Sequence, residues 1–232
     1  MTDSASKPPL PLRKSPWPPA PTIFLVVITA LLIGSVQEYR LRTANPSRTN
    51  LEFAERAIQT GDDRTALKLF GELANQNNPN AEYWLGHMYE IGLGIPRDAK
   101  KAIDLYKKAA EQNIVPAEAR LGEMYLDGDL VPPDFAQAKS YLERAAYHGN
   151  PHSALLLGQM YRVGVGTPVD QKQAYAWSEV ASLEGSEFAK SERDSSLHAL
   201  DVSDQRAAVA HAHEILKEMK QKTTVPQVPE AK

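Results

Sequence analysis

The pentapeptide Leu85-Gly86-His87-Met88-Tyr89 recurs 36 residues later as Leu121-Gly122-Glu123-Met124-Tyr125 and once more as Leu157-Gly158-Gln159-Met160-Tyr161. Other residue types keep the same offset without a gap, namely Gly92, Gly128 and Gly164; Pro96, Pro132 and Pro168; Asp98, Asp134 and Asp170; and Ala102, Ala138 and Ala174. A fixed period of this length indicates a solenoid, in which one small supersecondary motif is repeated and stacked on itself.

Each period predicts two antiparallel helices, here called helix A and helix B. Apolar residues at helical spacing predict the first clear helix A from about Asn80 to Ile91. Gly92 should end it, because glycine readily adopts the left-handed conformation found at many helix ends. Asp98 is placed to cap helix B through its side-chain oxygen, and helix B should end near Asn113.

A glycine lies in the middle of every clear helix A, at Gly86, Gly122 and Gly158. Each costs about 1 kcal/mol of helix propensity relative to alanine. A cost repeated three times predicts close backbone packing. The paired alanines of helix B, Ala109-Ala110 and Ala145-Ala146, are the expected partner surface.

A weaker copy precedes the clear ones, with Phe53, Asp62, Ala66 and Phe70 at the positions of Tyr89, Asp98, Ala102 and Tyr106. Four repeats are therefore predicted, at 45–80, 81–116, 117–152 and 153–188. Residues 189–222 predict a pair of capping helices that covers the last repeat, the second opening at Ser203 or Asp204. Residues 223–232 predict a loose tail.

The pattern Ala-x-x-x-Leu-Gly-x-Met-Tyr-x-x-Gly-x-Gly-x-x-x-Asp-x-x-x-Ala, followed by paired alanines and a terminal Gly or Asn, resembles the Sel-one-like repeat (SLR) family. That family is related to tetratricopeptide repeats, and the resemblance implies an all-α, right-handed α-solenoid. It also implies scaffolding work, in bacteria often at the cell envelope, and no catalytic residues. Leu130 and Ser182 depart from the pattern, where a loop glycine and the second alanine are expected.

The amino-terminal segment predicts a membrane anchor. Residues 1–21 form a proline-rich tail, and 17 uncharged residues follow from Pro21 to Gln37, close to the minimum of roughly 17 needed to span a bilayer. A transmembrane helix at 22–38 is therefore expected. A buried core helix lacks a partner segment, and a cleaved signal peptide lacks a suitable small-residue site, although cleavage stays open.

The flanking charges do not decide the orientation of this anchor, because they are nearly balanced: Lys7, Arg13 and Lys14 precede the span, and Arg40, Arg42 and Arg48 follow it. We expect a single-pass inner-membrane protein of a bacterium, with the tail inside and the repeats in the periplasm.

Composition excludes several classes of chemistry. The chain has no cysteine, which removes thiolate nucleophiles, disulfides and Cys-type metal sites. Residues 45–188 carry 14 Lys or Arg against 20 Asp or Glu, which argues against nucleic acid as a partner. The recurring Gly-x-Gly loops follow no strand, and His148 and His152 are separated by a helix break, so neither predicts a phosphate or metal site. No cofactor, metal site or enzymatic activity is predicted.

One stripe of helix A is left free by the predicted core positions. It comprises Tyr83, His87 and Glu90, and 36 and 72 residues later Ala119, Glu123 and Leu126, then Leu155, Gln159 and Arg162. These residues vary between repeats while the core does not. A partner-binding surface would vary in this way, and so would an unconstrained solvated face.

The sequence thus predicts a membrane-anchored scaffold that binds protein partners and recruits or stabilises a subunit of an envelope or membrane complex. A regulator that sequesters a signalling partner is the alternative, and a glycan-binding factor for polysaccharide export is more distant. Homo-oligomerisation stays open.

Overall fold

All regular secondary structure in residues 46–128, 130–183 and 186–223, the part of the chain that the computed structural model describes, is helical. The described helices are α1 (Pro46–Thr60), α2 (Asp63–Ala74), α3 (Pro79–Ile91), α4 (Ala99–Glu111), α5 (Val115–Asp127), α6 (Phe135–Tyr147), α7 (Pro151–Val163), α8 (Gln171–Ser182), α9 (Glu187–His198) and α10 (Val202–Thr223). The predicted all-α repeat solenoid is confirmed.

The chain divides into two compact units, Met1–Thr49 and Asn50–Lys232. Only residues 46–49 of the first are described, and they form the opening turn of α1. The predicted transmembrane helix at 22–38 and both predicted tails lie outside the described residues, apart from Thr223. None of the helices described combines the length and the apolar character needed to cross a bilayer.

Glycine ends each A helix, as the sequence predicts. α3, α5 and α7 stop at Gly92, Gly128 and Gly164, whose φ angles are 78°, 74° and 81°. In this left-handed conformation each glycine amide donates to the carbonyl four residues earlier, which satisfies one of the free carbonyls of the last turn.

Asp98, Asp134 and Asp170 start the B helices α4, α6 and α8, and this prediction is also confirmed. Each carboxylate accepts a hydrogen bond from a backbone N–H in the first turn; for Asp98 the donor is Lys101, at 3.0 Å. Asp62 caps α2 in the same way, 36 residues before Asp98. Two of the A helices, α3 and α7, begin at an asparagine cap, Asn78 and Asn150, followed by proline.

Replacing Asn150 by alanine should lower the free energy of unfolding by about 1 kcal/mol, because its side-chain oxygen accepts from the Ser153 N–H at 2.8 Å. Asn150→Ser keeps an acceptor and serves as the control. Urea denaturation of both variants checks this prediction, and equal midpoints would contradict it.

The mid-helix glycines do allow close packing, but the predicted partner residues are wrong. A Cβ atom built on Gly122 would lie 2.6 Å from Leu142, and one on Gly158 would lie 2.6 Å from Ser178 Oγ. One on Gly86 would meet the Tyr106 ring at 3.1 Å. The contact falls one turn nearer the start of helix B than the expected alanine pairs, because the antiparallel helices cross there.

Helix pairs stack in chain order. Each A helix packs against its own B helix and against the B helix before it, so α5 lies between α6 and α4. α1 and α2 share a core cluster with α3, through Phe70 and Met88 among others. α9 and α10 both pack on α8, and they bury Ala189, Ala208, Ala212 and Ile215 in its cluster. α10 begins at Val202, one residue before the predicted start, because Asp201 accepts from the Asp204 N–H.

Candidate partner-binding surface

The predicted stripe lies along α3, α5 and α7, and we call it the A-helix stripe. It has three columns: the 83 column (Tyr83, Ala119 and Leu155), the 87 column (His87, Glu123 and Gln159) and the 90 column (Glu90, Leu126 and Arg162). Seven of the nine side chains are partly exposed. Ala119 and Glu90 are buried, at 7% and 3% exposure.

Glu90 is therefore misplaced by the sequence-based prediction, which puts it on an open face. Its carboxylate accepts a hydrogen bond from the buried Tyr106 hydroxyl at 2.7 Å and from Arg120 Nε at 2.8 Å. A second nitrogen of Arg120 also bonds it. Arg120 belongs to the next A helix, α5, so stacking of the repeats covers Glu90 and supplies its counter-charge.

The protonation states in this cluster follow from these contacts. Burial alone would raise the pKa of Glu90, but hydrogen bonds from His87, Arg120 and Tyr106 outweigh it and lower that pKa to about 2. Burial, together with the hydrogen bond to Glu90, raises the pKa of Tyr106. The bond to Glu90 likewise raises the pKa of Arg120. At neutral pH the cluster is an ion pair supported by a neutral tyrosine.

The ion pair extends along the stripe into the 87 column. Arg120 also bonds Glu123, one turn further along α5. His152 of α7 places Nε2 3.5 Å from the other oxygen of Glu123, and His87 places Nδ1 3.6 Å from Glu90. The network thus joins three A helices, with Tyr106 of α4 beneath it. Its partly exposed members are held in fixed positions by a buried anchor.

Aromatic side chains flank the network at the start of the stripe. The Tyr83 ring lies 5.5 Å from Trp84 and 5.7 Å from Tyr106. Burial, and secondarily Glu90, raises the pKa of Tyr83. Tyr83 is therefore neutral and half-buried, with a rigid, amphipathic surface of the kind that is frequent at protein interfaces.

The Sel1 repeat family matches residues 79–114, 115–150 and 151–186. Together the three matched segments cover 108 of the 232 residues, and each has the 36-residue length of the sequence period. A crystal structure of a Sel1 repeat protein from Oxalobacter formigenes is similar at 25% identity over 77% of each chain, with a TM-score of 0.61. A protective antigen of uropathogenic Escherichia coli with an SLR fold is similar at 21% identity over 83% of this chain and 51% of that one, with a TM-score of 0.46. None of the curated proteins matches the sequence.

The repeat match and the Oxalobacter formigenes structure support a relationship to the Sel1-like repeat family, whose members act as protein–protein interaction scaffolds and whose fold is typically non-catalytic. Each matched repeat starts two residues before the predicted boundary, at Pro79, Val115 and Pro151, where an A helix begins. The family match does not include α1 and α2, so the predicted fourth repeat at 45–80 stays a prediction.

Two further buried carboxylates, missed in the sequence, link helix A to the end of helix B within the first two matched repeats. Glu82 is 2% exposed and accepts from Gln112 at 2.9 Å. Glu118, 36 residues later, lies 2.7 Å from Arg144 and 2.8 Å from His148. Burial raises the pKa of Glu82. His148 thus has a structural role in the second repeat.

In the third matched repeat the 90 column ends at Arg162, whose Nε lies 2.7 Å from Glu192 of α9. Leu126 of the same column, and Leu155 of the 83 column, pack partly against the core cluster around α7 and α8. The 90 column is therefore largely engaged within the protein. A periodic search at an offset of 30 rather than 36 residues would have shown its pairs, since both Glu90 with Arg120 and Arg162 with Glu192 have this separation.

Proposed function

We propose that this protein is a membrane-anchored scaffold that binds a protein partner along the 87 column of the A-helix stripe, with Tyr83 beside it. The observation that carries the proposal is the contrast within each A helix. The glycine and methionine positions are constant and buried, whereas the 87 column changes from His87 to Glu123 to Gln159 and stays partly exposed.

Preorganisation supports the same surface. Glu123 is fixed by Arg120, and Arg120 is fixed by the buried Glu90. Side chains already held in place lose little conformational entropy when a partner binds. Tyr83 adds a half-buried aromatic surface beside them, and aromatic residues often dominate binding energy at interfaces.

The predicted anchor at 22–38 gives the proposal its location. The predicted transmembrane helix would hold the repeats at a bacterial inner membrane, with the repeats in the periplasm. In this arrangement the stripe recruits or stabilises a subunit of an envelope complex, and the partner is a protein rather than a nucleic acid or a cofactor.

The test is purification of tagged full-length protein from native membranes in mild detergent, followed by mass spectrometry of co-purifying proteins. His87→Glu with Gln159→Glu should reduce recovery of a stoichiometric partner at least ~10-fold, because two charges then enter the centre of the binding surface. Lys100→Glu with Ala136→Glu, at exposed B-helix positions, is the matched control. Equal losses in both variants would argue against the stripe, and a wild-type protein that purifies alone would argue against a stable scaffold.

A further inference from the structure

The A-helix register continues beyond the three matched repeats. α9 begins at Glu187, 36 residues after Pro151 begins α7. Ser186 caps it, accepting from the Ala189 N–H, as Asn150 caps α7 36 residues earlier. Ala189 is fully buried, at the position that Ala81, Ala117 and Ser153 occupy in the preceding A helices.

Packing of α9 follows the same scheme. It packs against the preceding B helix, α8, and also contacts the preceding A helix, α7. α7 stands in the same relation to α6 and α5. Within α9 the correspondence is incomplete, because Asp194 and Leu200 stand where the earlier A helices have their mid-helix and terminal glycines. It ends with α10, which has 22 residues where the B helices have 12 or 13, and which reaches back to α6.

A polar contact recurs at this junction with its charges exchanged. Glu90 of α3 bonds Arg120 of α5, and Arg162 of α7 bonds Glu192 of α9, with 30 residues between the partners in both cases. At the junction between α5 and α7, the positions of Glu90 and Arg120 are taken by Leu126 and Leu156, which both pack against one apolar cluster. Each junction therefore has its own complementary pair.

We infer that α9 is a further A helix of the solenoid, and that Arg162 and Glu192 seat it in the stacking register that Glu90 and Arg120 set between α3 and α5. Arg162 and Glu192 are positioning residues: their side chains are 36% and 15% exposed, so the pair is partly shielded from solvent. The stripe then continues onto α9 at Ser191 and Ser195, both exposed, a consequence that rests on the proposed function.

The experiment is amide hydrogen exchange on the full-length chain in mild detergent. Arg162→Glu places two carboxylates at the junction and should speed exchange in α9 about 10-fold, while α3 and α4 stay unchanged, because stacked repeats interact mainly with their neighbours. Arg162→Glu combined with Glu192→Arg should restore α9 to within ~3-fold of wild type. If the single variant fails to fold, Glu192→Gln should give a milder, ~3-fold acceleration.

Lys172 and Asp204 supply the matched control, because they also join the last repeat to the C-terminal helices, at 3.0 Å, but are 45% and 41% exposed. Lys172→Glu alone should change the rate of amide exchange in α9 less than ~2-fold. The inference is overturned if Arg162→Glu combined with Glu192→Arg fails to slow amide exchange in α9 relative to Arg162→Glu alone. It is also overturned if Lys172→Glu speeds exchange in α9 as much as Arg162→Glu does. Since no partner is used, this outcome is independent of the co-purification result.

Discussion

Replacing Gly122 by alanine is expected to lower the free energy of unfolding by about 1–3 kcal/mol, although alanine is the better helix former. The added Cβ would lie 2.6 Å from both Leu142 Cγ and Cδ2, and 3.2 Å from the Leu142 backbone nitrogen. The Leu142 side chain is fully buried and cannot move away without disturbing its neighbours. α5 and α6 must therefore separate. Urea and thermal denaturation measure the effect.

Gly158→Ala should behave in the same way, because its Cβ would lie 2.6 Å from Ser178 Oγ and 3.2 Å from the Ala174 carbonyl oxygen. Gly71→Ala is the matched control: it lies inside α2, and a Cβ there meets nothing within 4 Å. We expect it to stabilise the protein by up to about 1 kcal/mol. A stabilising effect at all three glycines would refute the packing explanation.

Replacing Glu90 by glutamine should cost about 1–2 kcal/mol at neutral pH. Arg120 then loses one of its two carboxylate partners, while the size of the side chain at position 90 is unchanged; the cost is moderate because Arg120 is 40% exposed and still bonds Glu123. Glu143→Gln is the control. Glu143 is 35% exposed and lies 3.6 Å from Lys139, so its loss should cost less than about 0.5 kcal/mol. Similar urea midpoints for the two variants would contradict a stabilising role for the buried carboxylate.

Acid should remove the difference in the free energy of unfolding between the wild type and Glu90→Gln. The pKa of Glu90 is about 2 in the folded state, below its ordinary value of 4.5, so the unfolded chain binds the proton more tightly. The stabilisation is therefore fully present above about pH 4.5 and is lost as the pH falls towards 2. The difference between the two urea midpoints should be constant from pH 7 to 5 and should shrink at pH 4 and again at pH 3.

Local signals in the sequence were sufficient for much of the fold. Gly92 and Asp98 each act within one or two turns of their own position, by ending or capping a helix, and their 36-residue recurrence locates the loop from helix A to helix B in each matched repeat. The start of α5 has no comparable signal, since Ile114 at its cap position makes no side-chain hydrogen bond to the helix.

The surface was less predictable because exposure depends on the next repeat. The spacing of Glu90 places it on the same face of α3 as His87. Only the stacking of α5 shows that Arg120 covers Glu90 and leaves His87 partly exposed. The partner of Gly122 was missed for a similar reason. The sequence shows that helix B is rich in alanine, but the crossing point of two helices decides that Leu142 makes the contact.

The exchanged charges at the junctions also bear on how such a chain can change in evolution. Its repeats share one backbone length, so losing or duplicating 36 residues would leave every helix and loop intact. Losing residues 115–150, however, would bring Leu156 to the place of Arg120 and leave the carboxylate of Glu90 buried without a counter-charge. The repeats are interchangeable in shape but not in order, and the ion pairs preserve that order.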